Sequence, residues 1–267
     1  MPVIPIAIPK GGSGKTTTAL VVALELANLG ESVTIIDGDP NGHIVHWAAM
    51  PGVPSNIAVI GSKPEEMKHL DAPAIVDEKV TEDTIIHQIA AASAISAFVI
   101  VDLEGTANVI VDLAVGMADL VIIPIQGSHL DAKEAEHMIR LIRHQEKLAE
   151  RQIPFAVLMT RTNPAITPGS QKQVERTLSE RGIPCLDTQL YDREAYRALF
   201  SCGGTLLSLK DKGVRNVENA QSNAQALTAE IVESLMPKRP KTGRAGLPPA
   251  PQLINVLPIK DDDRSAA

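Results

Sequence analysis

Aromatic residues make up only 2% of the 267 positions, so any core has to be built from Ala, Val, Ile and Leu. The same scarcity removes the stacking platforms on which proteins hold single-stranded nucleic acid. Cysteine is nearly absent: Cys185 and Cys202 stand in no CxxC pair and in no His/Cys cluster with metal-ligand spacing. That excludes a disulfide framework and points to a reducing cytosol, with both thiols expected to fill space. No uninterrupted apolar run reaches membrane-spanning length. The apolar N-terminus carries no basic leader, which argues against a signal peptide. Positive charge is the minority sign, 25 basic against 32 acidic residues, for a net charge of −7. A protein coated in basic charge for nucleic acid is not expected, although binding follows the local field and a local basic patch is compatible with that sum.

What the chain does contain is a glycine loop at its very start, Pro9-Lys10-Gly11-Gly12-Ser13-Gly14-Lys15-Thr16-Thr17. An apolar run of strand length over 3–8 precedes it, and helical spacing over 16–28 follows. Strand, glycine loop and helix in this order form a phosphate cradle. Backbone N–H groups bent inward by glycines converge on one anion, and the helix start adds its free N–H groups and positive dipole end. In such a cradle Lys15 places its charge on the β- and γ-phosphates, and the Thr16 hydroxyl turns to Mg²⁺.

Apolar runs of strand length alternate with helical patterns along the rest of the chain. Strands are expected over 3–8, 32–37, 57–60, 97–102, 119–124 and 154–160, with a last short one beginning at 184–186. Helices are expected over 16–28, 41–49, 82–94, 109–117, 131–150, 169–181, 194–200 and 217–236. Continuous Val/Ile runs suggest strands covered on both faces. The fold class is therefore α/β: a doubly wound, mostly parallel sheet with helices on both faces, forming one domain over 1–236. The segment 237–267 changes character. It is rich in Pro, Lys, Arg and Gly and ends in a charge run around three aspartates, so it reads as a disordered tail. Its basic piece, Lys238, Arg239, Lys241 and Arg244, is either a phosphate contact or a solvated linker.

Ligands on such sheets bind at the carboxyl ends of the strands, and the remaining acids of interest fall there. Asp102 closes the run Phe98-Val99-Ile100-Val101, where an acid holds Mg²⁺ beside Thr16 or else merely caps the next turn. Glu104 follows without an assignable role. Asp37 and Asp39 end the second strand two residues apart, so in extended backbone they share a face. An Asp-Pro turn is the plainer alternative for Asp39.

The combination K-G-G-x-G-K-T-T, with two lysines around three glycines, resembles the deviant Walker A motif of the ParA/MinD family of P-loop ATPases. Asp37-Gly38-Asp39-Pro40-Asn41 resembles that family's D-x-D-P-Q segment, with Asn41 in place of Gln. Ala118–Pro124 with Leu130-Asp131 is similar to the family's strand and loop leading into a long helix, although Asp131 also reads as a plain N-cap. The resemblance covers roughly 1–236 and is strongest in the first third. It implies an ATP hydrolase, weak and stimulated by a partner, with ATP and Mg²⁺ as cofactors. The nucleotide would be bound by Lys10, Gly11, Gly12, Ser13, Gly14, Lys15, Thr16 and Thr17, and the metal by Thr16 and Asp102 with Asp37 in support. Lys10, Lys15 and Asp39 would be catalytic: Asp39 orients the attacking water, and Lys10 reaches across a face-to-face homodimer to the partner's phosphates, as an arginine finger does.

By the same resemblance the protein is expected in the bacterial cytoplasm on the nucleoid. It would bind double-stranded DNA without sequence preference and meet a ParB-like or cargo adaptor that stimulates hydrolysis. Its cargo would be a plasmid, a chromosome region, a conjugative complex or a protein assembly. Candidate DNA contacts are Arg193, Arg197, Lys210, Lys212 and Arg215, although Asp192, Glu194 and Asp211 are interspersed and a mixed solvated surface fits equally. Two other readings stay open. A MinD-like membrane-surface ATPase requires a basic amphipathic C-terminal helix with bulky apolar residues, which 217–236 lacks. A nucleotide-sensing scaffold without turnover is the other.

Overall fold

The computed structural model describes residues 1–105 and 109–236. Eight strands form one sheet: β1 (Val3–Ile6), β2 (Val33–Gly38), β3 (Ile57–Gly61), β4 (Ile75–Asp77), β5 (Phe98–Leu103), β6 (Val121–Ile125), β7 (Phe155–Thr162) and β8 (Leu190–Tyr191). Their order is β4-β3-β2-β5-β1-β6-β7-β8, and every pairing is parallel. The helices are α1 (Lys15–Asn28), α2 (His43–Ala48), α3 (Ile85–Ile95), α4 (Val109–Gly116), α5 (His129–Ala149), α6 (Gly169–Glu180), α7 (Glu194–Cys202) and α8 (Val217–Leu235).

Strand residues alternate between two apolar cores. Ile4, Ile6, Ile35, Ile100 and Ile122 pack with Leu20, Trp47, Leu199 and Leu227, from α1, α2, α7 and α8. Val3, Ile36, Val99, Val101 and Ile123 pack with Ile89, Val115, Ile142 and Leu178, from α3 to α6. The period of two, with both faces covered, is why these strands read as unbroken Val/Ile runs. Trp47, the one tryptophan, is fully buried and its indole N–H donates to the Gly204 carbonyl at 3.0 Å.

The expected doubly wound α/β sheet is present, with local differences. β4 was not expected: three residues are too short to carry a period. Residues 184–186 do not start a strand but make a single bridge, Cys185 to Val157, and the edge strand forms later at β8. Helix α3 starts at Ile85 rather than 82, because Thr81 N–H donates to the Thr84 hydroxyl and closes a turn first. Ser128, not Asp131, is the N-cap of α5; its Oγ accepts from Asp131 N–H. Cys185 is exposed and therefore fills no space. Among the described residues no helix is long and apolar enough to cross a membrane. The tail expectations over 237–267 lie outside the described residues.

Candidate functional site

The centre of the sheet delivers the glycine loop. β1 sits between β5 and β6, and its chain runs on through buried Ala7 and Ile8 into the loop. Gly12 and Gly14 have φ of 74° and 94°, a backbone region that L side chains rarely adopt. Gly14 is the N-cap of α1 and packs on Thr160, whose hydroxyl donates to the carbonyls of Ser13 (2.6 Å) and Ile125 (3.0 Å). Gln126 donates to the Gly12 carbonyl at 2.8 Å. From the other side comes Gly105: a Cβ there would stand 2.7 Å from the Lys10 carbonyl carbon and 2.8 Å from Gly11 N. The loop is thus held in shape by β6, β7 and the chain after β5.

Lys15 is buried and folds back over the loop, its Nζ donating to the Lys10 carbonyl at 2.7 Å. Burial lowers its pKa, against the pull of Asp102, Asp39 and Glu104. Lys10 points the other way. Its Nζ pairs with Asp131 Oδ1 at 2.5 Å, and Asp131 is fully buried in the first turn of α5. The second lysine is therefore held by a carboxylate of its own chain.

Asp37 and Asp102 stand side by side on paired β2 and β5. Asp102 is fully buried, and neither of its oxygens takes a hydrogen bond of ordinary geometry. Burial raises its pKa well above the usual carboxylate range, and Asp37 adds to this; the Thr16 hydroxyl and Lys15 oppose it. Asp37 differs in having its lone pairs in use. Its Oδ2 accepts from Ile44 N–H and Val45 N–H at 3.1 and 3.0 Å, and its Oδ1 from Asp39 N–H at 3.3 Å, so it ties down the start of α2. Burial still outweighs those bonds and pushes its pKa up to about 6. Asp39 is half-exposed, and its Oδ1 accepts from both Asn41 N–H (2.9 Å) and Asn41 Nδ2 (2.8 Å). Asn41, where the resembled motif has Gln, orients Asp39.

A cleft of about 630 Å³ opens over the loop, bounded by Lys15, Thr16, Asp39, Glu104, Arg161 and Phe200. Glu104 thus belongs to the cleft, although the sequence offered it no role. Arg161 bounds the cleft as well. It sits at a bulge in β7 with φ of 52°, a conformation costly for a side chain with a Cβ, and this places it on the cleft wall. A second cavity, about 690 Å³, lies at the opposite ends of the strands by Met50, Asn56 and Ser96, away from the loop.

The residues around Asp102 fit a divalent cation. A buried carboxylate with two unbonded oxygens, beside a hydroxyl and a second acid, is a set of hard oxygen donors awaiting positive charge. Among the described residues no group of three His, Cys, Asp or Glu has the geometry to hold a metal unaided. Mg²⁺ as a class takes few protein ligands and shares its shell with phosphates and water.

The five candidate DNA contacts have different surroundings in the fold. Arg193 stacks over the Tyr191 ring at 5.3 Å and lines a small cavity with Gly14 and Thr17. Arg197 lies between Asp192 and Glu194. Lys210 pairs with Glu218 at 2.8 Å, and Lys212 donates to the Cys202 carbonyl. Arg215 alone of the five has no partner among the described residues.

Residues 2–135 match the family described as ATPase MipZ. The chain is 37% identical to protein ParA of Rhizobium radiobacter over 238 residues, 88% of this chain and 100% of that protein. Among solved structures, apo McdA of Cyanothece has a TM-score of 0.63 at 18% identity, covering 85% of this chain and 99% of that one. A plasmid partition protein of Borrelia burgdorferi B31 bound to AMPPNP has a TM-score of 0.59 at 14% identity, covering 87% and 98%. With the loop, the strand-end acids and the parallel sheet in place, the chain belongs to the MipZ/ParA family of ATPases and is an ATP hydrolase.

Proposed function

We propose that residues 1–236 form a nucleotide-gated partition or positioning ATPase that dimerises on ATP, binds double-stranded DNA without sequence preference, and resets on hydrolysis. The N–H groups of residues 11–17 cradle the phosphates, and Lys15 leaves its carbonyl partner for the β- and γ-phosphates. Asp39, aimed by Asn41, orients the attacking water. Thr16 and Asp102 hold Mg²⁺, with Asp37 shaping the turn beside them; the ion, when bound, supplies charge neutralisation to the phosphates. Lys10 crosses to the partner's terminal phosphate, so that nucleotide joins two copies and its hydrolysis releases them. An adaptor of ParB type stimulates that step and carries the cargo, on the nucleoid in the cytoplasm.

The observation that carries this reading is the second lysine. A lysine a third exposed at the loop's edge, paired to its own chain and not to the cradle, is available for exchange. Size-exclusion chromatography with light scattering, with and without ATP and Mg²⁺, tests it. Wild type should become a dimer with ATP, while Lys10→Ala and Lys15→Ala remain monomers. Asp39→Ala should dimerise but turn over slowly. Equal turnover in wild type, Lys15→Ala and Asp39→Ala would remove the enzymatic part of the reading. Pelleting with anionic liposomes would instead favour a membrane-surface role, against which Glu218, Glu230 and Glu233 of α8 stand.

A further inference from the structure

The outer face of α5 carries Lys133, His137, Arg140, His144 and Lys147, all exposed. Their spacings run four, three, four, three, which at 3.6 residues per turn keeps the five in one narrow stripe. Ala135, Met138 and Ile142 on the opposite side are buried against the sheet. Of the acids beyond the first turn of the helix, Glu134 and Glu146 lie off the stripe and Glu136 borders it; Glu136 pairs with Arg181, and Glu146 with Arg143. None of the five side chains has an ion pair or hydrogen bond with a described residue. From Lys133 to Lys147 the row is about 21 Å long.

Such a row does nothing for the fold. Its Lys133, Arg140 and Lys147 stand seven residues apart, two turns of helix each, whereas surface helices ordinarily mix signs along such a face. Here two lysines and an arginine, with two histidines between them, line one face of a chain whose acids outnumber its Lys and Arg residues, 32 to 25. A straight row of unpaired donors matches a rigid anion that presents its charges at regular intervals, which is the phosphate backbone of a duplex. An anionic bilayer is a poorer match, because insertion requires bulky apolar side chains among the basic residues and the row has none.

We propose that the α5 row, Lys133, His137, Arg140, His144 and Lys147, is the surface that grips duplex phosphates. This rests on the reading of the chain as a DNA-binding ATPase and moves the contact from the C-terminal arginines and lysines to α5. The row begins two residues after Asp131, the partner of Lys10, so the helix that grips the duplex also touches the nucleotide loop. In a dimer two rows act as one bivalent grip.

The test is fluorescence anisotropy of a short labelled duplex of arbitrary sequence, with full-length protein, ATP and Mg²⁺, over a NaCl series. The variants are the triple Lys133→Ala/Arg140→Ala/Lys147→Ala and the double Lys210→Ala/Arg215→Ala. The triple variant should bind at least tenfold more weakly, with the slope of log K against log salt reduced by about 2.7, at about 0.9 per cation removed. The double variant should bind as wild type. Unchanged circular dichroism and basal ATP turnover establish that the triple variant is folded. If it binds the duplex with wild-type affinity and slope, the α5 assignment is overturned while DNA binding itself stands. If wild type fails to bind duplex with any nucleotide, both fall. Capture of phosphatidylserine vesicles, lost in the triple variant and without duplex binding, would make the row a membrane contact and overturn the proposal.

Discussion

Removing either member of the Lys10–Asp131 pair should not cost the same. Asp131 is fully buried, whereas the Lys10 side chain keeps 32% of its exposure. Lys10→Ala strands a carboxylate in a dry site. Breaking a buried pair from one side costs about 3–5 kcal/mol, and the partial exposure of Lys10 puts the expectation at the bottom of that range, about 3 kcal/mol. Asp131→Asn instead removes the buried charge and leaves Lys10 free to turn into water, and Ser128 still accepts from the backbone N–H of position 131. Its cost should be about 1 kcal/mol. In a domain of this size each kcal/mol moves Tm by about 2–4 °C. Without nucleotide, Lys10→Ala should melt about 6–12 °C below wild type and Asp131→Asn about 2–4 °C below, on the same conversion. The double variant should resemble Asp131→Asn alone, because no uncompensated charge remains. Freeing Lys10 from its own chain should also let Asp131→Asn dimerise on ATP at about fivefold lower protein concentration, the equivalent of about 1 kcal/mol. Equal losses in the two single variants, or a larger loss for Asp131→Asn, would refute the exchange of Lys10 between Asp131 and a partner's phosphate.

Asp102→Asn should lose turnover yet stabilise the nucleotide-free protein. Burial raises the Asp102 pKa, so its contribution to stability is full below the ordinary value of 3.8 and is lost as pH rises through the folded value. The melting advantage of the variant should therefore widen from acid to mildly alkaline pH, and a lower-melting variant at alkaline pH would contradict it. Glu25 of α1 is buried with one oxygen unbonded, the other accepting from Gln221 Nε2 at 2.5 Å, and burial raises its pKa too. Glu25→Gln keeps that acceptor, so thermal melts should show a flatter decline of stability above the ordinary glutamate value of 4.5; an unchanged pH profile would show that Glu25 does not titrate with folding. Gly105→Ala drives a Cβ into the backbone of residues 10 and 11, which cannot yield as a side chain tip would. Overpacking of about 1–3 kcal/mol should raise the Kd for ATP about tenfold in a nucleotide titration, and unaltered binding would mean the loop has slack.

The parts of the site legible in the sequence were those written in consecutive residues. Gly12, Gly14 and Lys15 declare a loop that needs positive φ and close approach, and the Val/Ile run before Asp102 declares a buried strand end. Element types followed for the same reason, since each is set by a local period, while ends such as that of α3 moved with hydroxyl-capped turns that no period reveals. What stayed hidden were contacts between distant positions. Lys10 and Asp131 are 121 residues apart and meet only because β1 and β6 are neighbours in the sheet. Arg161 enters the cleft through a bulge, which shifts a side chain by one position against the pattern of its strand. The α5 stripe is a different case. Its four-three-four-three spacing is present in the sequence, whereas the resemblance points to basic residues of the C-terminal region. A composition of 25 basic residues among 32 acidic ones hides such a row, because a sum over the chain carries no direction. Only the helical period, applied to charge as it is to apolar residues, restores it. Two of the acids of α5 fit the same pattern: Glu136 and Glu146 are each turned to an arginine off the stripe, so neither is paired with Lys133, Arg140 or Lys147.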